Sequence, residues 1–68
     1  MVKLRTIAEI IYDDLELIVL NESMTEKVDN LKNVSITKLL NENSIYLDYL
    51  VCGIRSNEKR GLQIAVKR

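Results

Sequence analysis

The longest unbroken run of Ile, Leu and Val in this sequence is Leu17-Ile-Val-Leu20, inside the segment Leu15-Glu-Leu-Ile-Val-Leu20. A bilayer-spanning helix needs about 20 consecutive apolar residues. The run is also shorter than the apolar stretch of about 7–15 residues in a signal peptide, and Met1-Val-Lys-Leu-Arg-Thr-Ile-Ala-Glu-Ile at the N-terminus holds no such stretch either. The segment does fit a strand. It is short and partly β-branched, and alternation sends Leu15, Leu17 and Val19 to a core and Glu16 to the opposite side. The chain is therefore expected to be free of membrane segments and to work in the cytoplasm. Every other element must pack around this strand.

With 68 residues there is material for one domain. A chain of this size removes only about 60% of its extended surface from water on folding, so its stability is marginal without help. Ile, Leu and Val together number 24, enough for one small core and too many for a disordered chain.

Before the strand, Leu4, Ile7, Ala8 and Ile11 fall at i, i+3, i+4 and i+7, the apolar stripe of an amphipathic helix. Asp13-Asp14 favours a turn, so this helix is expected to end near Tyr12. After the strand, Asn21-Glu-Ser reads as a turn, and Met24 to Val34 contains a second strand pairing back on the first. Its apolar members Val28, Leu31 and Val34 are spaced by three, which departs from clean alternation. Ser35-Ile-Thr-Lys-Leu-Leu-Asn has the form of a short helix, with Ser35 as N-cap and Val34 and Leu39 as a hydrophobic staple.

Residues 45–55 admit two readings. One is a long strand from Ile45 with a bulge at Gly53, because the phase of Ile45, Leu47, Tyr49 and Val51 breaks before Ile54. The other, which is preferred, is a turn over Ile45–Tyr49 followed by a strand over Leu50–Ser56. Asn57-Glu-Lys-Arg-Gly61 is a hairpin tip with Gly61 at positive φ. Leu62, Ile64 and Val66 form the inward side of a closing strand. The expected fold is a single α+β domain over residues 1–68, in the order helix-strand-strand-helix-strand-strand, with an antiparallel sheet and two short helices. If both helices cover one sheet face, the other carries Glu16, Ile18, Leu20, Gln63 and Ala65. Such a face, or an open sheet edge, invites a partner, and a homodimer would also relieve the small-domain problem.

Composition removes most enzyme classes. The chain has no His, which excludes imidazole-based triads, His metal ligands and an imidazole pH switch. Its single Cys52 can form neither an intrachain disulfide nor a thiolate-rich zinc site, and is expected to be a buried small hydrophobe. Two glycines make no phosphate-cradling loop. Asp13, Asp14 and Glu16 lack the spacing of a calcium loop, and Glu16 points across the strand from its neighbours. No cofactor, metal or catalytic residue is expected.

Net charge is zero but unevenly spread. Residues 1–48 hold nine acidic against five basic residues, and residues 49–68 hold Arg55, Lys59, Arg60, Lys67 and Arg68 against Glu58. Two candidate surfaces follow. The acidic turn Asp13, Asp14 and Glu16, together with Tyr46, Asp48 and Tyr49, is a candidate partner-binding surface, since tyrosine supplies large contact area at low entropic cost. Arg55, Lys59 and Arg60 are a candidate phosphate grip, with a tyrosine to stack a base. Direct nucleic-acid binding is not expected, because no tyrosine lies within the basic segment.

Lys3-Leu-Arg-Thr-Ile-Ala-Glu-Ile-Ile with its acidic turn and Leu15-Glu-Leu-Ile-Val-Leu resembles the opening of small phage and prophage accessory proteins of unassigned function. Val51-Cys-Gly-Ile54, a charged hairpin and Leu62-Gln-Ile-Ala-Val resemble their close. The Ile-, Leu-, Asn- and Lys-rich, Pro-free composition suits a low-GC host or its phage. The resemblance implies a non-catalytic protein that acts stoichiometrically, as anti-CRISPR proteins do when they block a nuclease effector. Zero net charge does not suit full DNA mimicry, although residues 9–29 carry seven acidic residues against Lys27 alone. A homo-oligomer that sequesters a signalling nucleotide, and a phage component that only self-assembles, are the alternatives.

Overall fold

A computed structural model describes residues 1–11, 14–59 and 61–68. Two helices and a 3-10 turn lie on one face of a four-stranded sheet. The elements are α1 (Leu4–Ala8), β1 (Leu15–Leu20), β2 (Lys27–Val34), α2 (Ile36–Glu42), the 3-10 turn (Ile45–Asp48), β3 (Leu50–Asn57) and β4 (Gly61–Lys67). The fold is α+β with the expected element order, and strand order across the sheet is β2-β1-β4-β3.

Two antiparallel hairpins, β1–β2 and β3–β4, stand side by side. Their inner strands β1 and β4 run parallel, which makes the sheet mixed rather than wholly antiparallel. The parallel pair follows from the connection. Residues 35–49, carrying α2 and the 3-10 turn, cross the sheet from β2 at one edge to β3 at the other, long enough for a parallel return of about a dozen residues or more, and this sets the inner strands β1 and β4 parallel.

The core lies between the helical layer and one sheet face. Leu15, Leu17 and Val19 of β1 and Ile64 and Val66 of β4 meet Leu4 and Ala8 of α1, Ile36 and Leu39 of α2, and Leu47 of the 3-10 turn. Leu4, Leu17, Leu47, Ile64 and Val66 are fully enclosed. The inward side of each central strand is the one its alternation dictates.

α1 is shorter than its apolar stripe suggests. Regular helix stops at Ala8, and the chain continues through 3-10-type bonds from the Ile10 N–H to Ile7 O at 3.2 Å and from the Ile11 N–H to Ala8 O at 3.4 Å. The β-branched pair Ile10-Ile11 is a poor helix end, and no side chain caps the N-terminus at Lys3. Ile10 is left 71% exposed. The expected end near Tyr12 is thus corrected to Ala8; Tyr12 itself lies outside the described residues.

α2 is capped as its sequence dictates. The Ser35 Oγ accepts the Lys38 N–H at 3.3 Å, and Asn43 closes the helix in the left-handed conformation. The Ser44 Oγ then accepts the Tyr46 N–H at 3.3 Å and starts the 3-10 turn.

Irregular spacing in β2 and β3 marks bulges. Leu31 pairs with Leu17 and Val34 with Leu15, so two residues of β2 oppose Glu16 alone. Asn33, at φ 54°, is one of them, and the insertion puts Leu31 and Val34, three apart, on the same face. A second shift beside Val28 leaves that residue 66% exposed. In β3, Val51 pairs with Val66 and Gly53 with Ala65, making Cys52 the extra residue. Both readings of residues 45–55 thus contribute: the strand begins at Leu50, and the bulge interrupts it.

Candidate functional site

The sheet face away from the helices carries Ile18, Leu20, Gln63 and Ala65, all half-buried, and Glu16. No element of the described residues covers it. Parallel pairing of β1 and β4 sets Glu16 against Gln63 and Ile18 against Ala65. β3 extends the face with Arg55 beside Gln63 and Gly53 beside Ala65. Ile18, Leu20, Gly53, Arg55, Gln63 and Ala65 contribute to a depression of about 290 Å³. β2 supplies Asn30, paired with Ile18; its Oδ1 is buried and meets no hydrogen-bond partner among the described residues. Most buried side-chain polar atoms have one.

Glu16 is 8% exposed, although the sequence places it on the uncovered face. Its Oε1 accepts the Gln63 Nε2–H at 2.7 Å. A charge-assisted bond of this length is among the stronger kinds a carboxylate makes. Glu16 also lines a second depression, of about 300 Å³, with Asp14, Leu15, Lys32, Asn33 and Lys59. Here the acidic N-terminal part of the chain and the basic hairpin tip meet within one molecule, because β1 and β4 are neighbours. Asp14 and Lys59, assigned by sequence to two different surfaces, line the same hollow.

The two proposed surfaces are not assembled as expected. Tyr46, Asp48 and Tyr49 belong to the helical layer. The Leu4 N–H donates to Tyr49 O at 2.9 Å, and the tyrosine rings pack edge to face with centroids 5.3 Å apart. Both tyrosines lean on the core. The Arg5 Nε–H donates to the Asp48 Oδ1 at 3.4 Å, with the Lys3 ammonium 4.0 Å from the same oxygen. These contacts tie the N-terminal segment to the 3-10 turn. Tyr49 lines a hollow with Val19, Leu20, Asn21, Glu22, Val28 and Arg68, at the C-terminal end of β1. Asp14 lies at the other end, about 17 Å away along a strand rising about 3.3 Å per residue, and Glu16 faces away from the helical layer. Asp13 lies outside the described residues.

Arg55 and Lys59 line different depressions, and neither Tyr46 nor Tyr49 lines either one. Arg60 lies outside the described residues. Cys52, the extra residue of the β3 bulge, is half-buried rather than buried, and its Sγ–H donates to Leu50 O at 3.7 Å. Sequence reasoning missed Lys32 and Asn33 beside Asp14, and Gly53-Ile54 at the outer edge. A glycine inside a strand was the available signal for the latter.

Among the described residues, no group of three or more His, Cys, Asp or Glu side chains is placed to hold a metal ion, and no helix is long and apolar enough to cross a membrane. Fold and surface together define a small α+β domain with helices on one face of a mixed sheet and, among the described residues, nothing on the other. No family model, curated protein or solved structure matches the chain.

Proposed function

We propose that this chain is a non-catalytic accessory protein of the small phage type, acting in the bacterial cytoplasm by lying against a host effector, a defence nuclease, and blocking it stoichiometrically. The observation that carries the proposal is the uncovered sheet face. Ile18, Leu20 and Ala65 form an apolar strip at the sheet centre, rimmed by Arg55, Gln63 and Glu16. An apolar strip with a polar rim is the make-up of a protein-binding surface. The sequence resemblance supports a host effector as the target. The mixed charge of the Asp14–Lys59 hollow supports a protein surface as the partner over a purely basic nucleic-acid groove. Nucleotide sequestration has less support, since Arg55 and Lys59 line separate hollows.

The test is titration of the purified chain against reconstituted defence nucleases. Cleavage should fall to zero at equimolar protein. Ile18→Glu, a half-buried position on the uncovered face, should weaken inhibition by about a hundredfold, equivalent to about 2.7 kcal/mol, with an unchanged circular dichroism spectrum. Asp14→Lys probes the acidic end. Glu16 is unsuited to charge reversal because it is buried and bonded to Gln63. Full cleavage by every nuclease in the presence of excess chain would remove the anti-defence reading.

A further inference from the structure

The sheet has two edges, and they differ. β2 carries Lys27, Asp29 and Lys32 and is interrupted by two register shifts. Charges and bulges are the devices that keep an edge from pairing with another chain. β3 has one register shift, at Cys52, and is otherwise less protected. Its first residues are covered, since the Val51 N–H donates to Val2 O at 2.7 Å and Lys3 bridges to Leu50. Its last residue, Asn57, pairs with Gly61 to close the hairpin. Residues 52–56 between them form an open edge with one charge, Arg55, and with Ile54 58% exposed.

The geometry points to this window as the contact with a second copy of the same chain, two β3 strands pairing antiparallel about a two-fold axis at Ile54. A two-fold strand pair sets each residue i against a residue of the other copy so that the paired numbers have a constant sum. Centring the axis on Ile54, the exposed apolar residue of the window, sets Ile54 against itself and Gly53 against Arg55, and leaves the bulged Cys52 and Ser56 at the margins. Both pairings are sterically and electrostatically sound. Ile54 meets its own kind as a cross-strand apolar pair. Gly53 and Arg55 both lie on the uncovered face, and a Cβ built on Gly53 meets nothing within 4 Å, so there is room for the partner's Arg55 stem. Opposition to glycine also keeps the two guanidinium groups from facing each other. The product is a continuous eight-stranded sheet, with the helices of both copies on one side and a doubled uncovered face on the other.

A five-residue edge contact is smaller than a standard interface of about 1,600 Å². The dimer is therefore expected to form in the micromolar range, where interfaces of modest energy sit. This inference does not depend on the anti-defence reading.

Sedimentation of the full chain from about 5 to about 500 µM tests it. The native protein should pass from monomer to dimer. Ile54→Lys, the change natural sheets use to blunt an edge, should stay monomeric throughout with an unchanged circular dichroism spectrum. In a Cys52→Ser background, Ile54→Cys should form an intermolecular disulfide under air about tenfold faster than Thr37→Cys on exposed α2, because directly opposed residues bring Cα atoms to about 5.5 Å. A native monomer at the highest concentration overturns the proposal. So does a dimer that Ile54→Lys leaves intact, or equal oxidation rates for the two cysteines.

Discussion

Glu16 shows how far a single residue can depart from what its position suggests. Alternation put it on the outward side of β1, and it is there, yet it is one of the better buried side chains in the protein. The parallel partner β4 brings Gln63 directly opposite, and the amide donates to the carboxylate at 2.7 Å. Removing that donor leaves a buried carboxylate short of one hydrogen bond. Gln63→Ala should therefore destabilise the fold by about 1–3 kcal/mol, measured by urea unfolding with an unchanged m-value. A loss near zero would mean that water takes the place of the amide without cost. Nothing local in the sequence announced this pair. Glu16 and Gln63 are 47 positions apart, and only the parallel adjacency of two hairpins makes them neighbours.

At the scale of elements, the sequence was legible wherever one periodicity ran uninterrupted. Leu15, Leu17 and Val19, and Ile64 and Val66, alternate cleanly and are buried as expected. The Ser35 cap stood out because its chemistry is local. Legibility failed where periodicity broke. Val28, Leu31 and Val34 read as an ambiguous spacing of three, whereas Leu31 and Val34 flank one insertion and Val28 is itself the residue left unpaired at the other shift. Asn33, at φ 54°, sits within one insertion, and Asn tolerates this conformation better than most residues. Substitution at this position separates a conformational requirement from a side-chain one. Asn33→Gly should be neutral or slightly stabilising. Asn33→Val, which places a β-branched residue at positive φ, should cost about 1–3 kcal/mol, read from thermal melts. Equal stability of the two variants would show that the bulge moves to another residue. The tyrosine–acid surface is divided for a related reason. Sequence proximity of Tyr46, Asp48 and Tyr49 was readable, but their distance from Asp14 depended on which end of β1 the 3-10 turn approaches.

At the scale of the whole molecule, one fact governs both stability and interaction: a layer of two short helices covers one face of the sheet, and no element of the described residues covers the other. Among the described residues five side chains larger than alanine are completely enclosed, so a second copy along β3 would add to stability as well as to size. Linkage turns that statement into a measurement. A partner that binds only the folded chain raises stability by mass action, and a hundredfold rise in concentration is worth about 2.7 kcal/mol per dimer once the dimer predominates. Half of that falls to each chain. For a domain of this length, about 1 kcal/mol moves the melting midpoint by about 4–8 °C, so the native midpoint should climb by about 5–10 °C over that range. Ile54→Lys should melt at one temperature throughout, and Ile18→Glu, which alters the uncovered face away from the β3 edge, should keep the native slope. A slope abolished by Ile18→Glu and kept by Ile54→Lys would place the self-association on the sheet face instead of its edge.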